Sequence, residues 1–201
     1  MKDLVLLVAD KNAHFALQSA LSRPEALGIR PLSFEFRVHP GRDGGARKNG
    51  PEVLALEKYR FHHALLVLDF EGCGSNLEQA TELEEQLDQR LARDWDGAAK
   101  SIVITPELDV WIWGADHFVE RAIEWPQDRK LREWLQRQGF DFDANGKPRR
   151  PKEALEAALR VSALPRSSAL YGNIAGKISL RRCGDEAFLR LRHQLQKWFP
   201  R

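Results

Sequence analysis

HHALLVLDFEGCG, residues 62–74, holds the reading that decides the fold. Its centre, ALLVL, is a short continuous apolar run, the pattern of a strand covered on both faces. The run ends in Asp69 and Glu71, with Gly72 directly after. Two apart, these acids point the same way on a continuing strand. Like charges on one face repel unless water screens them at a strand tip or a cation sits between them.

Working outward, the same kind of run recurs. LVLLVA (residues 4–9) is followed by Asp10, and SIVIT (residues 101–105) by PELDVWIWG. LSFEFRVH (residues 32–39) alternates apolar and polar residues, the signature of a half-buried strand. Between the strands lie helical patterns. KNAHFALQSALSR repeats Phe15, Leu17, Ala20 and Leu21 and is closed by Pro24. PEVLALEKYR is a short helix with Pro51 at an allowed first-turn position. SNLEQATELEEQLDQRLARDW is a long amphipathic helix that Ser75 or Asn76 is expected to cap. PGRDGGARKNG (residues 40–50) reads as a mobile loop because of its glycines. The alternation predicts an α/β sandwich of Rossmann-like type with a mainly parallel central sheet of about four strands. From Pro126 the texture becomes helical and basic, through DRKLREWLQRQ, PKEALEAALRV and DEAFLRLRHQLQKWF. The expected division is an α/β domain over residues 1–125 and a helical extension over residues 126–201 packed on it.

The chain has 201 residues, 43% apolar and 30% charged, enough to bury a core. No apolar run approaches the roughly 20 residues that span a bilayer, so no membrane partner is expected. MKDLVLLVAD reads as a first strand rather than a signal peptide. Two distant cysteines, Cys73 and Cys183, suit a reduced cytoplasmic setting and speak against a zinc site. Net charge is +2 but uneven: residues 147–201 carry 13 Lys and Arg against 4 Asp and Glu, and the rest carry 18 against 25. The basic quarter either meets a polyanion or docks on the acidic body.

Asp10, the pair Asp69 and Glu71, and the pair Glu107 and Asp109 all follow expected strand ends. In open α/β sheets ligands bind at that edge. Carboxylates gathered there suit Mg²⁺ or Mn²⁺, which activate water and stabilise a leaving oxygen in phosphodiester cleavage. Taken singly, Asp10 could cap the first helix and Glu107 sit in a first turn. His39, Arg42 and Asp43 could reach the same edge, with Arg42 on a phosphate, or form a local Arg–Asp pair. Trp111, Trp113 and Phe118 read as core packing more than base stacking. His14 and His117 are either metal ligands or bases, or structural. Cys183, beside Arg181 and Arg182, reads as a buried thiol more than a nucleophile. Lys147, Arg149, Arg150, Lys152 and Arg166 are the anion-binding candidates for nucleic acid, against a plain solvated surface.

A strand ending in an acid, followed by a later strand ending in acid-x-acid, resembles the TOPRIM domains of topoisomerases, primases and defence-associated nucleases. The resemblance covers roughly residues 1–115. Here Asp10 in VADKNAHF stands at the family's Glu, and Asp69 and Glu71 in LDFEG stand at its Asp-x-Asp. Each substituted position keeps a carboxylate and changes its length by one methylene, and Lys11 stands where the family has glycine. More narrowly, VADKN, HPGRDGG, DFEGCG, PELDVWIWG and SALYGNIAGKISLRRCGDEAF together resemble a small bacterial family of methylation-associated phage-defence gene clusters. The resemblance implies a defence component that binds Mg²⁺ through Asp10, Asp69 and Glu71 and hydrolyses nucleic acid, DNA favoured. Glu107 or Asp109 would be a further ligand or base. The alternative, suggested by the altered acid lengths and Lys11, is a catalytically silent subunit that binds another defence protein or senses invading DNA.

Overall fold

The structure is a computed structural model that describes residues 1–113 and 116–201, without the side chain of Arg182. Gly114 and Ala115, within the aromatic stretch DVWIWGADHF, lie outside the described residues. Four strands, β1 (Lys2–Val8), β2 (Phe34–Val38), β3 (Phe61–Asp69) and β4 (Ala99–Ile104), form one sheet in the order β2-β1-β3-β4. Every pairing is parallel, with Val8 opposite Val67 and Asp69 opposite Ile104. The helices in chain order are α1 (Lys11–Leu21), α2 (Pro24–Leu27), α3 (Arg42–Ala55), α4 (Ala80–Trp95), α5 (Asp109–Ile112), α6 (Asp116–Ala122), α7 (Leu131–Arg137), α8 (Pro151–Val161), α9 (Ser168–Lys177) and α10 (Glu186–Trp198). This is the α/β architecture that the sequence predicts, with a fully parallel sheet and helices at the C-terminal end of the chain.

The apolar runs are continuous because alternate residues feed two layers. Leu4, Leu6 and Val8 of β1, with Leu65 and Val67 of β3, face one layer. Val5, Leu7 and Ala9, with Leu66 and Leu68, face the other. The second layer is closed by α3 and α4 through Ala46, Leu54, Leu83, Leu87 and Leu91. The first is closed by α1 and by the C-terminal helices, whose Leu155, Tyr171, Ile174, Phe188 and Leu195 share one apolar cluster with the sheet. Each fully buried leucine or phenylalanine there contributes ~1.5–3 kcal/mol. Trp111 and Trp113 lie in this cluster too.

The outer edge of β4 is sealed by side chains. Ser101 N–H donates to Asp88 Oδ1 at 2.7 Å and Val103 N–H to Glu84 Oε1 at 2.7 Å. Arg190 of α10 reaches over them, donating to Glu84 and, at 3.3 Å, to the Val103 carbonyl. Backbone groups that a neighbouring strand would otherwise take are thus occupied. The β2 edge is instead lined by charge: Arg37 bridges Glu35 and Glu57.

Three local expectations are corrected. PGRDGGARKNG is not a loop but most of α3. Its glycines make room for His39, since a Cβ on Gly45 would lie 2.4 Å from His39 Cε1. His39 Nδ1 accepts from Gly41 N–H at 3.0 Å and Nε2 meets Asn49 Oδ1 at 2.9 Å, which places the ring proton on Nε2. The helix kinks at Asn49, just before Gly50 and Pro51. Neither Ser75 nor Asn76 caps α4, which starts at Ala80 after Gln79. Ser75 Oγ accepts from Leu77 N–H in a local turn that holds the chain out of helix. Finally, SALYGNIAGK, quoted above only as part of a resemblance and given no helix, is α9, capped by Ser167 on Leu170 N–H.

Candidate functional site

Chain β1 leaves the sheet into α1 on one face, and β3 leaves into α4 on the other. The crevice beyond the carboxyl ends of these adjacent strands is a topological switch point, where open α/β sheets place ligands. Asp10 lies two residues past Val8, and Asp69 two past Val67, its register partner. Asp10 is the N-cap of α1, its Oδ1 accepting from Ala13 N–H at 2.9 Å. Asp69 closes β3, and its Oδ1 accepts from Leu108 N–H at 2.9 Å. Asp69 N–H in turn donates to Oδ1 of Asp43, from the first turn of α3, at 2.8 Å. Arg42 opens that helix in the left-handed region, at a φ of 51°, with its side chain exposed. An arginine in this conformation is uncommon and sits where such strain concentrates, at a ligand edge.

These acids are close enough to oppose each other's ionisation. Burial holds the Asp69 carboxyl well above the usual range, and the charges of Asp43, Asp10 and Glu107 add to it. Burial also raises Asp43, with Asp10 contributing. Glu107, 9% exposed, is pushed up to about 7 by burial and by Asp109, against Lys152, whose Nζ is 3.8 Å away. Glu71 is exposed at the rim, its N–H donating to the Pro106 carbonyl at 2.9 Å, and its charge reaches Glu107.

Asp109 is placed differently. It is 2% exposed, takes the Tyr171 hydroxyl proton at 2.7 Å on Oδ1, and is bridged by Arg166 at 3.1 Å on Oδ2. Arg166 Nε also donates to Tyr171 Oη at 2.6 Å. Burial raises the Asp109 carboxyl and these two partners hold it down, while burial and Asp109 together raise the Tyr171 phenol. The trio anchors the turn that carries Glu107.

Of the other basic positions, Lys147 is 8% exposed and 3.6 Å from Asp185. Arg150 lies over the Phe140 ring at 4.9 Å, and Arg149 is exposed. Among the described residues, Arg42, Lys152 and Arg166 are the expected cations beside the carboxylates, at Asp43, Glu107 and Asp109. His14 packs on Phe36, centroids 4.4 Å apart, and burial lowers it. The Cys183 thiol is raised chiefly by burial, and Arg181 turns to the Glu25 carbonyl; the Arg182 side chain lies outside the described residues. Both cysteines are free.

Among the described residues no three His, Cys, Asp or Glu side chains stand in a ready metal-chelating arrangement. No described helix is long and apolar enough to cross a membrane. No family model matches the chain, nor does any curated protein or solved structure.

Proposed function

We propose that the carboxylate edge is the phosphodiester-cleaving centre of a TOPRIM-like protein that acts on nucleic acid, DNA favoured, in bacterial antiviral defence. The observation that carries the reading is the meeting of Asp10, Asp43, Asp69 and Glu107 at the switch point, with burial and mutual repulsion raising three of them. Such a cluster is relieved by a cation. Mg²⁺ suits it, because this ion commonly takes one or two carboxylates, keeps several waters and leaves the remaining positions to substrate phosphate. One or two of Asp10, Asp43 and Asp69 would hold it: each spends Oδ1 on a backbone N–H, and Oδ2 is the atom left for a ligand. The bound ion supplies charge stabilisation at the phosphoryl group and at the departing oxygen.

The chain's own residues supply the rest. Glu107 is poised near neutrality to take the proton of the attacking water, with Lys152 beside it. Water adds to phosphorus as the bond to the leaving sugar oxygen breaks, and that oxygen takes a proton from solvent or the one that Glu107 received from the water. Arg42 is placed to hold a non-bridging oxygen. Asp109, Tyr171 and Arg166 are positioning residues for Glu107. Resemblance to TOPRIM and to phage-defence families supports the choice of polymer and setting.

The test is cleavage of labelled DNA and RNA with Mg²⁺ or Mn²⁺. Wild type is expected to cut, and Asp69→Asn, which keeps the acceptor for Leu108 N–H, to lose cutting while remaining folded. Equal cutting by both proteins overturns the reading. A second reading is a catalytically silent subunit that binds another defence protein or senses DNA. Asp10 serving as a helix cap favours it, as does the lack of a preformed three-ligand group among the described residues. A metal that binds the native state raises Tm by mass action, so a flat Mg²⁺ and Mn²⁺ titration of wild type selects the silent subunit.

A further inference from the structure

The arginines at the other end of the sheet are arranged unlike any of those above. Because α1 runs back from the carboxyl edge, α2 follows it at the amino end of the strands. The C-terminal turn of α10 lies there too, with Trp198 stacked on His63 near the start of β3, centroids 4.6 Å apart, and Phe199 O accepting from Arg30 N–H at 3.2 Å. Arg181, Arg192 and Arg201 gather over α2 and line a hollow of about 350 Å³ with Glu25, Gly28 and Gln196. An adjoining hollow of about 460 Å³ shares Glu25, Ala26 and Arg181 and adds Arg23. Gly28, in the lining of the first hollow, has a φ of 78°, and a Cβ there would lie 2.8 Å from Gln196 Nε2.

We infer that this trough over α2, framed by Arg181, Arg192 and Arg201, is a binding surface for the phosphate backbone of nucleic acid, distinct from the carboxylate edge. Three features carry it. First, the guanidiniums point at backbone carbonyls: Arg181 and Arg201 donate to Glu25 O at 3.3 and 2.6 Å. Arg192 donates to Leu180 O and Arg181 O at 3.4 and 3.2 Å. These bonds orient the forks without neutralising them.

Second, among the described residues none of the three pairs with a carboxylate, whereas Arg132, Arg166 and Arg190 each do. Glu25 is the single acid lining either hollow, and it has no ion pair among the described residues. Each guanidinium carries five N–H donors and spends only one or two, so most remain for a ligand.

Third, the trough is open and charged rather than deep, and no large exposed apolar side chain lines it; those are Met1, Phe15, Val38, Leu56, Tyr59, Val161 and Leu189. That excludes the apolar anchor a lipid surface or an amphipathic peptide takes and leaves repeated charge as the recognised feature. Arginine's planar fork matches phosphate oxygens.

The inference shares with the proposed function only the kind of polymer. It needs neither metal nor cleavage. The experiment is therefore run in chelator, measuring anisotropy of labelled single- and double-stranded oligonucleotides across a salt series. Wild type is expected to bind with a steep salt dependence. Arg181→Gln/Arg192→Gln is expected to bind about tenfold more weakly, with a slope of log K against log salt shallower by roughly two. Arg149→Gln/Arg150→Gln is expected to match wild type. Should the double variant not fold, arginine-selective modification of wild type decides, with Arg181 and Arg192 protected by oligonucleotide. An unchanged slope, protection at Arg149 and Arg150 instead, or binding to anionic vesicles without binding to oligonucleotide overturns the inference. Wild type that binds with this salt slope but cuts neither DNA nor RNA in Mg²⁺ or Mn²⁺ overturns the proposed function and leaves the trough standing.

Discussion

The two ends of the sheet treat charge in opposite ways. At the carboxyl end, like charges are buried together, so desolvation and repulsion raise Asp43, Asp69 and Glu107. At the amino end, like charges lie on a surface, where backbone carbonyls accept from Arg181, Arg192 and Arg201. On the proposed readings, the buried cluster takes a small cation and the exposed one a long anion. The same fold thus separates a site that concentrates field from one that merely presents it.

The comparison breaks most sharply through Asp69→Asn. We expect about a thousandfold or greater loss of metal-dependent cleavage, as for removal of a group that acts on the transition state. The amino-end test above follows, at about tenfold in oligonucleotide affinity. Next, Gly45→Ala pushes a methyl into His39 and displaces the turn that carries Asp43; overpacking of this kind costs about 1–3 kcal/mol, read by urea unfolding. Tyr171→Phe removes the hydroxyl that donates to Asp109 and accepts from Arg166 but leaves their mutual ion pair, at about 1–3 kcal/mol, and lowers cleavage only as far as Glu107 shifts.

The smallest effect is the pH dependence. Glu107 is raised to about 7, so between its ordinary value and neutrality the folded state keeps a proton that the unfolded chain has lost. Stability from this group therefore falls as pH rises through that window, and the raised carboxyls of Asp43 and Asp69 act in the same direction. Glu107→Gln is expected to raise Tm at pH 8 by roughly 2–4 °C, the equivalent of about 1 kcal/mol in a chain of this size, and to change little at pH 4.5. A larger gain at the acid end would reverse the sign argued for the cluster.

Much of this was legible in the residues. LVLLVA, ALLVL and SIVIT are continuous because both faces of their strands are covered, and that pattern survives without any knowledge of the covering helices. Asp10 and Asp69 could be paired from strand ends alone, since parallel neighbours bring those ends together. Asp43 was within reach of the reading, but its bond to Asp69 N–H depends on α3, and the glycines of α3 looked like freedom when they are room for His39. Asp109 looked equivalent to Glu107 because Tyr171 and Arg166, which neutralise and bind it, stand 62 and 57 residues further on. The trough was hidden for the same reason: Glu25 and Arg181 are 156 positions apart, and no local pattern joins them.

The seal on β4 gives the sheet a direction of growth. With Glu84, Asp88 and Arg190 seated on its outer backbone groups, no incoming strand can zip onto that side, so any added strand from another chain must dock beside β2. Losing α10 would remove the latch: the Val103 carbonyl would lose its Arg190 donor, Glu84 would be a buried anion without its cation, and the β4 edge would open to strand pairing.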